Sequence, residues 1–209
     1  LADVIAKYPN LVVISDEIYE HINFSGKHES LAQFENVYNQ VVTINGVSKA
    51  WAMTGWRLGY IAAPQIIADA CNKVQGQFTS GTCSITQKAA IAAMKADPSV
   101  LSDMIKAFHN RRDLVLKGLN EIEGVKTNIP EGAFYVFPDV SYFYGKSFNG
   151  EVVKDANDLC MYLLNEALVA LVSGDAFGDE SCIRISYAAS EETLMEALKR
   201  IKIALEKLN

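Results

Sequence analysis

Proline is scarce in this chain, with five residues among 209, and histidine scarcer still, with three. His21, His28 and His109 share no ligand spacing, and the four cysteines, Cys71, Cys83, Cys160 and Cys182, form no CxxC pair. The pattern suggests no metal centre and predicts four reduced, mostly buried thiols in a cytoplasmic protein. Basic runs are missing too. Nineteen Lys and Arg stand against 25 Asp and Glu, interspersed, for a net charge of −6. Without a basic stripe there is no footprint for a phosphate backbone, so nucleic acid is not an expected partner. No apolar run is long enough to span a bilayer, and the first residues show no signal-peptide pattern. No glycine-rich loop has P-loop or dinucleotide-binding spacing, and no internal repeat or low-complexity tract is found.

What is there is apolar side chain: half of the composition is hydrophobic, enough for a substantial core in one large or two small domains. Short apolar runs at 11–15, 41–45 and 57–63 predict strands buried on both faces of a mainly parallel sheet. Helices are expected at 66–77, 86–95 and 99–122. The last carries Leu101, Ile105, Phe108, Val115, Leu119 and Ile122 on one stripe. Further on, strands are expected at 133–138, 169–172 and 182–187. Helices are expected at 155–167 and 191–208, the latter capped by Ser190. The chain therefore reads as α/β followed by α+β, with a boundary near Pro98. Leu1, Ile5 and Tyr8 already share a helical face with no cap before them, so the sequence is expected to begin inside a helix.

Polar residues of a particular kind follow the apolar runs, at strand ends, where ligands bind in open α/β sheets. After the first run comes Ser15-Asp16-Glu17-Ile18-Tyr19. After the second comes Ser48-Lys49-Ala50-Trp51-Ala52-Met53-Thr54-Gly55-Trp56-Arg57-Leu58-Gly59-Tyr60. An amine, a carboxylate, a phenol, a hydroxyl and a guanidinium within these spans are the groups a protein needs to hold pyridoxal phosphate (PLP). Lys49 would form a Schiff base with the aldehyde. Its amine attacks only without its proton, a state favoured by neighbouring positive charge and exclusion of water. A carboxylate, Asp16, would keep the ring nitrogen protonated. Arg57, with a planar fork and permanent charge, and Ser48 would take the phosphate, with Gly55 and Gly59 allowing close backbone approach. Tyr19 would bond the ring oxygen. Each has a plainer alternative: a surface lysine, a strand-end or capping aspartate, a core tyrosine, a surface ion-pair arginine. Trp51 and Trp56 read as packing residues, and Glu17 has no derivable role.

The two segments resemble those of the fold-type I, class I/II aminotransferases, especially bacterial aspartate aminotransferases, and the resemblance runs from Leu1 to Asn209. It implies a PLP-dependent transaminase working as a homodimer on an L-amino acid, aspartate or glutamate first, with a 2-oxo acid acceptor. Lys49 would then carry the proton between the substrate α-carbon and the cofactor. Aromatic, alanine or kynurenine aminotransferases and carbon–sulfur lyases of the same family are alternatives. The resemblance also implies that the chain is the C-terminal half of such an enzyme. Residues 1–97 would be the C-terminal part of the large PLP-binding domain and 98–209 the small C-terminal domain. A catalytically silent fragment is the other reading. Arg184, alone in the apolar strand Cys182-Ile183-Arg184-Ile185-Ser186, needs a counter-charge. The resemblance makes it the receptor of the substrate α-carboxylate, and an internal salt bridge is the alternative. The preceding Gly174-Asp175-Ala176-Phe177-Gly178 reads as a loop able to move, and 77–82 as a dimer-interface segment or a helix connector.

Overall fold

A computed structural model describes residues 1–209. The chain divides into two compact units, Leu1–Asp103 and Met104–Asn209. The first holds a three-stranded sheet ordered β1 (Val13–Asp16), β2 (Val41–Gly46), β3 (Gly59–Ala62). β1 and β2 run parallel, in a register that sets Val13 beside Val41 and Asp16 beside Ile44. β3 returns antiparallel to β2, with Gly59 opposite Gly46. The apolar runs do give the strands, but the expectation of burial on both faces holds only for β2. β1 alternates between half-buried and exposed, and β3 is exposed throughout. Each of these outer strands pairs along one edge only.

The helix expected at the start is a single turn, α1 (Ala2–Ile5), whose Ile5 joins Val37 and Val41 in a small apolar cluster. After β3, Pro64 starts α2 (Gln65–Phe78), and a short link leads to α3 (Ser84–Lys95). α2 buries none of its residues, and Ile66, Val74 and Phe78 face outward. The expected helix at 99–122 is two elements. Asp97 accepts a hydrogen bond from Ser99 N at 2.8 Å and caps a 3-10 turn, Pro98–Leu101, before α4 (Ser102–Asn120) begins. Proline at the first position suits that start, because its missing N–H is not needed there.

In the second unit, α4 buries Val115 and Leu119 of the expected stripe and Leu116 beside them. A second sheet follows, ordered β4 (Tyr135–Val136), β8 (Ile183–Ser186), β7 (Val172–Ser173), antiparallel throughout. A two-stranded ribbon is formed by β5 (Ser147–Phe148) and β6 (Glu151–Val152), which the sequence does not suggest. α5 (Ala156–Ala167) is capped by Asp155, which accepts from Asp158 N at 2.8 Å. α6 (Glu191–Leu205) is capped by Ser190, which accepts from Thr193 N at 3.2 Å. Leu159, Leu163, Ile183, Tyr187, Leu194 and Ile201 fill this unit's core. The strand expected at 133–138 shortens to two residues, since Ala133 turns into the left-handed region (φ 58°). The thiol expectation is corrected by half: Cys160 and Cys182 are buried, while Cys71 and Cys83, on and beside outward-facing helix surface, are exposed. No helix is long and apolar enough to cross a membrane.

Candidate functional site

The parallel pairing of β1 and β2 brings their C-terminal ends to one edge of the first sheet. Asp16 ends β1. Its Oδ1 accepts a hydrogen bond from Ile18 N at 3.2 Å, which turns the chain out of the strand. Asp16 is exposed and makes no ion pair among the described residues, so one of its oxygens has a local role and the carboxylate remains open to a cation. Tyr19 follows in the turn, half-buried, and the Lys49 Nζ lies over its ring, 5.7 Å from the centroid. A second bridge between the two strand ends is the edge-to-face pair of His21 and Trp51, with ring centroids 5.9 Å apart. Trp51 is thus a packing residue, as its sequence context suggests.

Lys49 owes its place to β2. That strand ends at Gly46, where a Cβ would stand 2.9 Å from the Leu58 carbonyl oxygen and 3.2 Å from Gly59 Cα. Only glycine lets β3 pass that closely. Val47 behind it is fully buried, and its carbonyl oxygen accepts from Met53 N at 3.2 Å, closing the loop that carries Ser48 and Lys49. Both are half-buried. The loop closes further through Ala52 N donating to Lys49 O at 3.1 Å, with Ala52 in the left-handed region (φ 51°).

Arg57 sits at φ 53°, an uncommon conformation for a side chain with a Cβ. Its Nη1 donates to Thr54 O at 3.0 Å, and it makes no ion pair among the described residues. It lines an open cleft of about 770 Å³ together with Gly55, Trp56, Gly81, Thr82 and Thr86. The segment 77–82 shares this wall with Arg57 through Thr79, Gly81 and Thr82. Cys83 lines it too. Backbone N–H groups of Thr86 and Ile85 at the start of α3 hold its thiol below the usual range.

Glu17, which the sequence leaves without a role, is the most enclosed carboxylate at this edge. It is buried, and accepts from Ser15 Oγ at 2.9 Å and Ser30 Oγ at 2.8 Å, with His28 Nε2 3.0 Å from its other oxygen. Burial by itself raises its pKa, but the His28, Ser30 and Ser15 hydrogen bonds outweigh that and hold the carboxyl below the usual value. The loop from 17 to 30 is thereby fastened to the end of β1. The available signal was a glutamate directly after an apolar strand, which must find partners if it folds inward.

Arg184 belongs to the second unit, at the middle of β8, between the buried Ile183 and Ile185. No ion pair to a carboxylate is found for it among the described residues. Its guanidinium lies between two rings, 4.6 Å from the centroid of Tyr135 and 4.3 Å from that of Phe177. The internal salt bridge that the sequence allowed is not made.

The donor set at the first sheet, an amine beside a phenol, an open carboxylate at the neighbouring strand end and an open guanidinium on a hydroxyl-lined cleft, fits the chemistry of PLP. The comparisons agree. The family model described as aminotransferase class I and II matches residues 1–201. A bifunctional aspartate aminotransferase and glutamate/aspartate-prephenate aminotransferase of Petunia hybrida is 53% identical, over 98% of this chain and 44% of its own length. An aspartate aminotransferase of Rhizobium meliloti (strain 1021) is 43% identical over the whole chain and 52% of its own. A crystal structure of the aspartate aminotransferase from Rhizobium meliloti superposes with a TM-score of 0.95 at 42% identity, covering 99% of this chain and 52% of that one. An aromatic aminotransferase from Pyrococcus horikoshii superposes with a TM-score of 0.87 at 38% identity, covering 98% of this chain and 54% of that one. The chain spans about half the length of the curated relatives it matches, and it belongs to the class I and II aminotransferases.

Proposed function

We propose that the protein transfers the amino group of an L-amino acid, aspartate or glutamate, to a 2-oxo acid, with PLP as its cofactor and Lys49 as the catalytic residue. The observation that carries this reading is the meeting of Lys49, Tyr19 and Asp16 at one sheet edge. PLP, when bound, supplies an aldehyde that captures amino groups and a ring that accepts the electrons of the α-carbon. The Lys49 amine anchors it covalently and, once released, takes the proton from the substrate α-carbon and returns it. Asp16 holds the proton of the ring nitrogen, and Tyr19 bonds the ring oxygen. Arg57, with Ser48, binds the phosphate, and the permanent charge of the guanidinium matches that dianion. Arg184 receives the substrate α-carboxylate. In this reading the unit with Lys49 is the C-terminal part of the cofactor-binding domain, and the second unit is the small domain.

Substrate choice follows the relatives, most of which are named for aspartate and several for prephenate, so prephenate is a second acceptor to test. A homodimer is part of the proposal. The outward Ile66, Val74 and Phe78 of α2 support it, because such apolar surface calls for a covering protein surface. Four free thiols support a reducing, cytoplasmic setting. The test is visible absorption on adding PLP, followed by turnover of L-aspartate with a 2-oxo acid. Lys49→Ala is expected to lose both the protein-bound band and turnover. Turnover at the unsubstituted rate would remove Lys49 from the reaction.

A further inference from the structure

Alternation along β8 places Ile183 and Ile185 in the core and Arg184 with Ser186 on the opposite face. A half-buried guanidinium there needs a counter-charge, and the described residues supply none. What they supply is two aromatic rings. Tyr135 reaches Arg184 through strand register: it pairs with Ser186, so its ring lies diagonally across the same face. Phe177 arrives from the other side, at the end of the 3-10 turn Gly174–Phe177, and Phe137 meets it edge-on at 6.1 Å.

The turn that presents Phe177 is well fastened. Gly174 N donates to Cys182 O at 2.8 Å, Cys182 N to Asp179 O at 3.2 Å, and Tyr144 Oη to Glu180 O at 2.7 Å. Aromatic rings attract a cation without accepting its in-plane N–H bonds. The five donors of a guanidinium form a fixed fork that fits a carboxylate with two parallel bonds. A cation kept in place by rings, not by a carboxylate of its own chain, keeps that fork for an incoming anion.

We propose that Tyr135 and Phe177 are positioning residues, which flank Arg184 and set its guanidinium as a bidentate receptor for a substrate carboxylate. The proposal rests on the transamination reading above and adds the two residues that hold its carboxylate receptor in place. Succinate, a dicarboxylate with no amino group to transfer, is the probe. It is titrated into the PLP-loaded protein by calorimetry, for Tyr135→Leu, Phe177→Leu, the double variant, Tyr135→Phe and Arg184→Lys. The Arg184 side-chain N–H resonances are followed in parallel by NMR.

The double leucine variant is expected to weaken succinate roughly tenfold and to move the Arg184 resonances as ring currents are lost, with PLP affinity unchanged. Tyr135→Phe, which keeps the ring, is expected to behave as the unsubstituted protein does. If the leucine variants bind succinate within twofold while Arg184→Lys does not, the ring pair is overturned and the role of Arg184 stands. Should Arg184→Lys also bind normally, the assignment of Arg184 to substrate falls, and the ring pair with it. Phe177 is 46% exposed, so Phe177→Leu alone decides the matter if the double variant does not fold.

Discussion

Glu17 shows what a single buried charge does in this fold. Three neighbours satisfy its carboxylate at 7% exposure, and together they fasten the loop that follows Asp16 and Tyr19. Glu17→Gln is expected to destabilise the protein by about 1–3 kcal/mol, the range for a buried polar group left with poor partners. Thermal or urea unfolding measures it. The pH dependence has a definite sign. The folded carboxyl sits below its unfolded value of 4.5, so its contribution is complete above that pH and is lost as pH falls through the lower folded value. Acid unfolding of Glu17→Gln should therefore be shallower than that of the unsubstituted protein; equal slopes would show that Glu17 is not part of the acid limb. Lys49, Asp16 and Arg57 could be proposed from the sequence because an amine, a carboxylate and a guanidinium follow its apolar runs. Glu17 was not, because its partners Ser15, His28 and Ser30 lie up to thirteen residues away and meet it only after folding.

Elements were legible where local chemistry decides them. Ser190 and Asp155 cap their helices, Pro64 ends the apolar run of β3 and starts α2, and α3 stops before Pro98. Elements held by distant contacts were not. The β5–β6 ribbon has no signal in its two-residue strands, and the turn before β8 depends on a glycine with no room to spare. A Cβ on Gly174 would overlap the carbonyl oxygens of Asp179 and Cys182. Gly174→Ala is expected to cost at least about 2 kcal/mol, since the overlapping neighbours are backbone atoms and no side chain can move aside to make room. It should also displace the turn that presents Phe177. Chemical denaturation tests the first effect, and an alanine variant as stable as the parent would show that this turn can shift at little cost.

At the scale of the whole molecule, the two units differ in how they are enclosed. The second has a closed core around Leu159, Leu163 and Tyr187, whereas the first leaves apolar side chains such as Ile66 and Phe78 uncovered. The closed core makes an alkaline prediction. Burial pushes the thiols of Cys160 and Cys182 up to about 11, from an unfolded value near 9. Stability from these protonated thiols is complete below pH 9 and is lost as pH rises towards the folded value of about 11. Stability measured from pH 8 to 11 should fall, and Cys160→Ala with Cys182→Ala should make the fall shallower, the rest coming from raised phenols such as Tyr144 and Tyr187. A decline equally steep in the double variant would place its origin elsewhere.

The sequence by itself determined the family, the cofactor chemistry, the place of most helices and the identity of the groups that follow the strands. These depend on residue type and short spacing, which survive without a fold. Tertiary structure decided which groups meet. Parallel register set Asp16 and Lys49 at one edge, strand pairing brought Tyr135 across Arg184, and burial gave Glu17 its partners. Such pairings link residues far apart in the chain, and no local pattern encodes a distance that only packing sets.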